Sequence, residues 1–284
     1  MRSQVERSAE GPRVAFVLGG GGVLGATQVG MLRALLESGR VPSLVVGTSV
    51  GALNGAAIAA DPTPAGVDVL ASMWSSLSDS GIFAGSLFSR ASTLAKHRTH
   101  LHPSEPLRDL LTASLPKTFD DLAVPFQCVA ACIERAAAHW FSSGPVADAV
   151  LASCAVPGLL PPAEIGGEHF LDGGLVHSIP VGRALALGAT DIYVLHVGRI
   201  ERPLVPPRTP WDVGLVSFEI VRRHRFVEEM ASLPDTVRAH VLPSGDDNAP
   251  LVSLRYRSSA DVATRIENGY AATVAYLASL PDPG

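Results

Sequence analysis

The chain has little net charge. Its 284 residues carry 22 Lys and Arg against 27 Asp and Glu, a formal charge of −5 with a pI near 6.0. No basic field is available to hold a nucleic acid. Cysteine is scarce as well. Cys128, Cys132 and Cys154 form an odd set in apolar settings, and Cys128 and Cys132 stand four apart in a strand-like run, too distant to bridge. This excludes a disulfide framework and leads us to expect reduced, buried thiols and a cytoplasmic setting. Internal repeats are absent, and the nine histidines show no recognised zinc spacing. His97, His100 and His102, beside Lys96 and Arg98, read as a polar, mobile loop. Neither metal nor cofactor is expected. No signal peptide is visible, and residues 1–11 read as a polar, frayed tail. A charge-free run does exist, Val41 to Ala60, with the length of a membrane span. Pro42, Gly47, Ser49, Gly51, Asn54 and Gly55 interrupt it, and a strand, a turn and a helix account for it better.

Within that run lies Gly47-Thr48-Ser49-Val50-Gly51, a G-x-S-x-G behind a β-rich stretch and ahead of a helix-forming one. A serine at a sharp strand-to-helix turn has its hydroxyl pushed clear of the sheet, where a carbonyl can meet it. The helix behind it aims free N–H groups and the positive end of its dipole at the same spot. Ser49 is therefore the candidate nucleophile.

Upstream, Val14 to Leu18 reads as a buried strand running into Gly19-Gly20-Gly21-Gly22-Val23-Leu24-Gly25. A helical pattern follows, with Val29, Leu32, Leu35 and Leu36 on one face and Gly39 as its stop. Strand, glycine loop and helix make an anion-binding device, for a phosphate or for the oxyanion of a tetrahedral intermediate. Gly20, Gly22 and Gly25 spell G-x-G-x-x-G, so a dinucleotide site must be weighed. That site wants a carboxylate about 20 residues on, to hold a ribose. The next strand, Ser43 to Val46, instead ends in Gly47-Thr48-Ser49, and Glu37 belongs to the helix. The oxyanion reading gains what the dinucleotide reading loses. Two neighbouring parallel strands would open both loops at one sheet edge.

The third motif is Asp172-Gly173-Gly174, after the short apolar stretch Phe170-Leu171. Asp-Gly is a common turn signal. Yet a serine needs a base to take its proton, and Asp172 is the best-placed carboxylate for it. Taken together, the three motifs resemble those of the patatin-like phospholipase family. The glycine loop matches in Gly20 to Gly25, the nucleophile turn in Gly47 to Gly51, and the aspartate motif in Asp172 to Gly174. Ala152-Ser153-Cys154-Ala155-Val156-Pro157-Gly158 through Pro161-Pro162 resembles the family's approach to the aspartate. The likeness runs from about residue 12 to about residue 195. It implies a three-layer α/β/α fold with a mostly parallel sheet. It also implies a Ser–Asp dyad, with no histidine, that cleaves acyl esters of lipids as a phospholipase A or lysophospholipase. Asp172 would take the Ser49 proton while the amides of Gly20, Gly21 and Gly22 hold the oxyanion. Gly25, Gly47, Gly51, Gly173 and Gly174 would shape the turns. The chain departs from the family at Leu24, where Arg or Lys is usual. That departure keeps a catalytically inactive lipid-binding homologue as one alternative.

A second alternative is an α/β-hydrolase triad in the order Ser, Asp, His, since His177, His196, His224 and His240 all follow Asp172. His196, at the end of the strand Asp191 to Leu195, is its best candidate. Only two strands precede Ser49, fewer than such hydrolases usually have.

The remainder reads as scaffold of one domain over 12–284. Residues 61–104 carry a helical pattern around Val67, Leu70, Met73 and Trp74, then an apolar stretch, Gly81 to Phe88, suited to a lid. Strands are expected at Pro125–Glu134 and Ala138–Ser142, and helices at Val146–Ser153 and Pro180–Leu187. A long helix is expected over 211–233, with Trp211, Leu215, Phe218, Val221 and Val227 as its apolar face. Its basic turn, Arg222-Arg223-His224-Arg225, would be solvated or would touch an anionic bilayer transiently. A strand at Val237–Leu242 and a helix over 260–280 complete the domain. Nothing in the pattern fixes an oligomeric state.

Overall fold

The computed structural model describes residues 13–79, 99–198, 203–245 and 259–280. The expected tail, the apolar part of the expected lid (Gly81 to Phe88) and His97 lie outside the described residues. The run Val14-Ala15-Phe16-Val17-Leu18 forms strand β1, apolar at every position because both of its faces are covered. Phe16 and Leu18 enter one core, while Ala15 and Val17 enter a second core on the opposite face. That split follows from the two-residue period of a strand and defines the middle layer of a three-layer α/β/α fold.

The other strands are β2 (Leu44–Thr48), β3 (Phe126–Cys132), β4 (Ala137–Phe141), β5 (Ala163–Ile165), β6 (Glu168–Asp172), β7 (Asp191–Leu195) and β8 (Arg238–Val241). The sheet order is β5-β6-β3-β2-β1-β7-β8, with β4 also on β3. Strands β3, β2, β1, β7 and β8 are mutually parallel, and β4, β5 and β6 pair antiparallel.

On one face pack α1 (Ala26–Glu37), α2 (Val50–Ala60), α3 (Pro64–Asp79), α4 (Glu105–Ser114), α5 (Val146–Ser153) and α8 (Ser259–Ser279). On the other lie α6 (Val181–Ala186) and α7 (Pro210–Ala231). Helix α2 reads VGALNGAAIAA and is buried nearly all round, as a helix with so little polar surface must be. It and β2 absorb the charge-free run Val41 to Ala60. No helix among the described residues is long and apolar enough to cross a membrane. Helices α1 and α8 touch backbone to backbone: a Cβ on Gly30 would lie 1.9 Å from the Ile266 carbonyl oxygen.

Two expectations are corrected. Helix α7 buries Phe226 and half-buries Leu215 and Phe218, but Val221 and Val227 are exposed. Its inward face is completed by Glu219 and Arg222, both nearly inaccessible. The basic turn is not a free cationic patch either. Arg223 pairs with Glu219, His224 with Glu228 and Arg225 with Glu229. The second correction concerns His100 and His102, which are buried rather than part of a solvated loop. Their segment is fastened by the Leu101 and His102 amides, which donate to the carbonyls of Gly158 and Leu159.

Candidate active site

The meeting of the two distant motifs follows from the register along β3. Cys128 and Val129 pair with β2 and with β4, while Ala130, Ala131 and Cys132 pair with β4 and with β6. A strand has only two edges, so β2 and β6 share the one opposite β4. They run toward each other along it, because β2 is parallel and β6 antiparallel to β3. Thr48 stands opposite Val129 and Asp172 opposite Ala130. The end of β2 and the end of β6 thus deliver Ser49 and Asp172 to one point.

Ser49 Oγ donates to Asp172 Oδ2 at 2.6 Å. Ser49 sits at φ 54°, ψ −126°, an unusual conformation for a residue with a side chain. Such backbone costs about 1–3 kcal/mol and persists only where its surroundings enforce it. Here Gly47 and Gly51 permit the turn. A Cβ on Gly51 would lie 2.2 Å from the Leu18 carbonyl oxygen, so α2 starts against the end of β1. The Ser49 amide donates to Ser153 Oγ at 2.9 Å, and Ser153 Oγ donates to the Val129 carbonyl at 2.6 Å. Ser153 lies in the approach to the aspartate, but its role as a strut under the nucleophile was not read from the sequence. Ser153→Ala leaves the Ser49 N–H buried without an acceptor. We expect it to cost about 1–3 kcal/mol, read as a lower urea midpoint with an unchanged slope.

Asp172 is only 4% exposed. Its Oδ1 accepts the Gly174 amide at 2.7 Å, which is what the Asp-Gly-Gly turn contributes. Burial raises its carboxyl pKa to about 6, against the opposing pull of the hydrogen bonds from Ser49 and Gly174. Such a group is a better base than an ordinary carboxylate and is still ionised at neutral pH.

Three of the four late histidines are engaged elsewhere. His177 Nδ1 bonds Glu229 Oε1 at 2.9 Å, and His224 pairs with Glu228 on the surface. His240 faces Asp191 and stacks on Tyr193. His196 is 2% exposed and its pKa is depressed to about 3, by burial first and Arg222 second. Among the described residues, the Asp172 carboxylate bonds to Ser49 and to Gly174.

The glycine loop approaches Ser49 directly: a Cβ on Gly20 would lie 3.3 Å from Ser49 Cβ. The three expected donors are not equivalent. Gly20 N–H donates to the Ser178 carbonyl at 2.9 Å and is thereby spent. The Gly21 and Gly22 amides make no backbone hydrogen bond to a described residue. Gly22 takes φ 59°, ψ −132°, a conformation that favours glycine. Both ends of the loop are tied down by a buried carboxamide pair. Gln28 Nε2 donates to the carbonyls of Gly19 and Leu195, each at 2.8 Å. Asn54 Nδ2 donates to the Gly25 carbonyl at 3.0 Å and to Gln28 Oε1 at 2.8 Å. Trp74 Nε1 completes the chain by donating to Asn54 Oδ1 at 2.8 Å. Leu24 is buried against Val197, so no cation reaches the loop from within it.

An apolar cavity open to solvent is lined by Ser49 and Gly22 together with Leu53, Trp74, Leu107 and Leu160. Cys154 also lines it, half-buried, whereas Cys128 and Cys132 are fully buried. All three thiols are free. The described residues hold no cluster of His, Cys, Asp or Glu suited to a metal ion.

The patatin-like phospholipase family model matches residues 16–185. A patatin-like phospholipase domain-containing protein of Caenorhabditis elegans is 31% identical over 214 residues, covering 70% of this chain and 14% of that protein. Lysophospholipase nte1 of Aspergillus terreus is 34% identical over 196 residues, covering 67% of this chain and 12% of that protein. Patatin-like phospholipase domain-containing protein 7 of Rattus norvegicus is 28% identical over 208 residues, covering 69% of this chain and 14% of that protein. The matches thus span only 12–14% of the length of these relatives. Among solved structures, VipD from Legionella pneumophila superposes with a TM-score of 0.51 at 14% identity, covering 94% of this chain and 67% of that one. That likeness concerns the fold.

Proposed function

The chain belongs to the patatin-like phospholipase family, and from that premise we propose that it hydrolyses carboxylic esters of lipids through Ser49 and Asp172. The observation that carries this reading is the 2.6 Å contact between Ser49 Oγ and Asp172 Oδ2, beside a glycine loop and at the wall of an apolar cavity. Ser49 Oγ attacks the ester carbonyl carbon while its proton passes to Asp172. The carbonyl π pair moves onto oxygen, where the amides of Gly21 and Gly22 receive it. A donor of this kind is worth about 3–4 kcal/mol when removed. The intermediate collapses, the ester C–O bond breaks, and the leaving alcohol takes the proton from Asp172. Water then attacks the acyl-enzyme with Asp172 as base, releasing the fatty acid and restoring Ser49.

The cavity supports an acyl chain as the bound group, since apart from Ser49 and Cys154 its lining side chains are aliphatic or aromatic. Phospholipids and lysophospholipids are the proposed substrates, met at a lipid surface. The pairing of α7's basic residues with Glu219, Glu228 and Glu229 gives no support to recognition of anionic head groups by that helix. A panel of lysophospholipids, diacyl phospholipids and neutral esters, assayed with wild type and Ser49→Ala, tests the reading. Release of fatty acid by wild type alone supports it. Equal release by both proteins would overturn it.

A further inference from the structure

Arg222 is a charged residue buried beneath the glycine loop, and it comes from α7, beyond residues 16–185 that the family model matches. Each of its three nitrogens has an acceptor. Nε bonds Ser178 Oγ at 2.9 Å, and Nη1 faces both carboxylate oxygens of Glu219 at 3.2 and 3.3 Å. Nη2 reaches the Val197 carbonyl at 2.9 Å and the Gly20 carbonyl at 3.4 Å. Ser178, held through its side chain, accepts the Gly20 N–H with its backbone carbonyl. Gly20 is therefore held at both its donor and its acceptor by one guanidinium-centred assembly.

The consequence follows from the planarity of the peptide bond. In a trans peptide the C=O and the N–H point in opposite directions. Drawing the Gly20 carbonyl toward Arg222 turns the Gly21 N–H away from α7. A cation on the carbonyl oxygen also polarises that same peptide and strengthens its N–H as a donor. The grip on Val197 serves the same end, because Val197 Cγ2 occupies the space where a Gly21 Cβ would stand, 2.0 Å away. Arg222 fixes the wall against which Gly21 rests. Lysine could not do this, since a point charge lacks the planar fork that spans four groups.

We infer that Arg222 is a positioning residue for the reaction: from beyond the residues that the family model matches, it orients and polarises the Gly20–Gly21 peptide so that the Gly21 amide receives the oxyanion. Glu219 is the counter-ion that lets the charge sit there. The inference rests on the reading of Ser49 as nucleophile, and the two can fail separately.

Removing Arg222 alone would leave the buried Glu219 carboxylate with its 3.4 Å contact to Arg223 and without its two bonds from Arg222, so the principal variant removes both charges. Glu219→Met with Arg222→Met replaces the pair by apolar side chains of similar length, a change that buried ion pairs often tolerate. The expected result is a folded protein with KM within about twofold of wild type, kcat lower by about 10- to 100-fold, and fluorophosphonate labelling of Ser49 slowed in proportion. A merely structural role would lower the melting temperature and leave kcat per folded molecule intact. A folded double variant with kcat within about twofold of wild type would overturn the inference. Should the double variant not fold, Arg222→Lys decides. A loss of kcat of about fivefold or more at unchanged KM supports the role, and full kcat refutes it. If Ser49→Ala remains active, the nucleophile assignment itself falls. If Ser49→Ala is dead while the Arg222 variants are fully active, only the inference about Arg222 falls.

Discussion

Ser49→Ala is expected to lower kcat for ester hydrolysis by about 10⁴- to 10⁶-fold, with the fold intact. The size follows from what is lost. Without Oγ no acyl-enzyme can form, and the remaining donors can only assist direct attack by water. The fold should survive because the turn is held by backbone contacts. The Ser49 N–H to Ser153 Oγ bond and the approach of α2 to the end of β1 do not involve the hydroxyl. Assay with a chromogenic acyl ester, alongside the thermal melt of both proteins, reads both quantities. Substantial activity in Ser49→Ala would end the account, whatever the state of the rest of the site.

Asp172→Asn carries the second large effect, and it has opposite signs in activity and stability. Loss of the base should reduce kcat by about 10²- to 10⁴-fold. In wild type the base must be ionised, so kcat/KM should fall tenfold per pH unit below about pH 6, the value to which burial raises the carboxyl. The same shift destabilises the native protein at neutral pH. A carboxyl whose folded pKa lies above its ordinary 3.8 binds a proton more tightly in the native state. Its stabilising contribution is full below pH 3.8 and is lost as pH rises to about 6. Asparagine carries no charge to bury and can still accept the Gly174 amide. Asp172→Asn should therefore be more stable than wild type by about 1–3 kcal/mol at pH 8, the gap opening between pH 4 and 6. Urea titrations of both proteins across that range measure it. A variant less stable than wild type at pH 8 would contradict the cause assigned to the raised pKa.

Much of this site was legible in the sequence because its parts are local. A buried strand, a glycine loop and a helix are written in one stretch from Val14 to Gly39, and the nucleophile turn is written within five residues. Helix Val146–Ser153 matched its expected bounds because Pro145 precedes it and its last turn runs into Cys154. What escaped reading is what depends on residues far apart along the chain. Arg222 reaches Gly20 across 202 positions, and Ser153 reaches Ser49 across 104. In Arg222-Arg223-His224-Arg225 nothing local marks the one side chain that turns inward. Only the phase of α7 against the sheet selects it, and that phase is set by Phe226 below it and Glu219 above. Expecting an apolar inner face displaced the reading by part of a turn, toward Val221 and Val227. The Gly20 amide escaped for a similar reason. Its acceptor, Ser178, belongs to a segment that the glycine loop meets only after folding.

The central claim is that Asp172 alone activates Ser49, and one measurement addresses it directly. Wild type and Asp172→Asn are treated with a fluorophosphonate over pH 4 to 9, and the adduct is located by peptide mass. The expected result is an adduct on the peptide containing Ser49, formed in wild type at a rate that rises with a midpoint near pH 6. In Asp172→Asn the labelling should be far slower and should lack that midpoint. An adduct on another residue, or the same pH profile in both proteins, would contradict it.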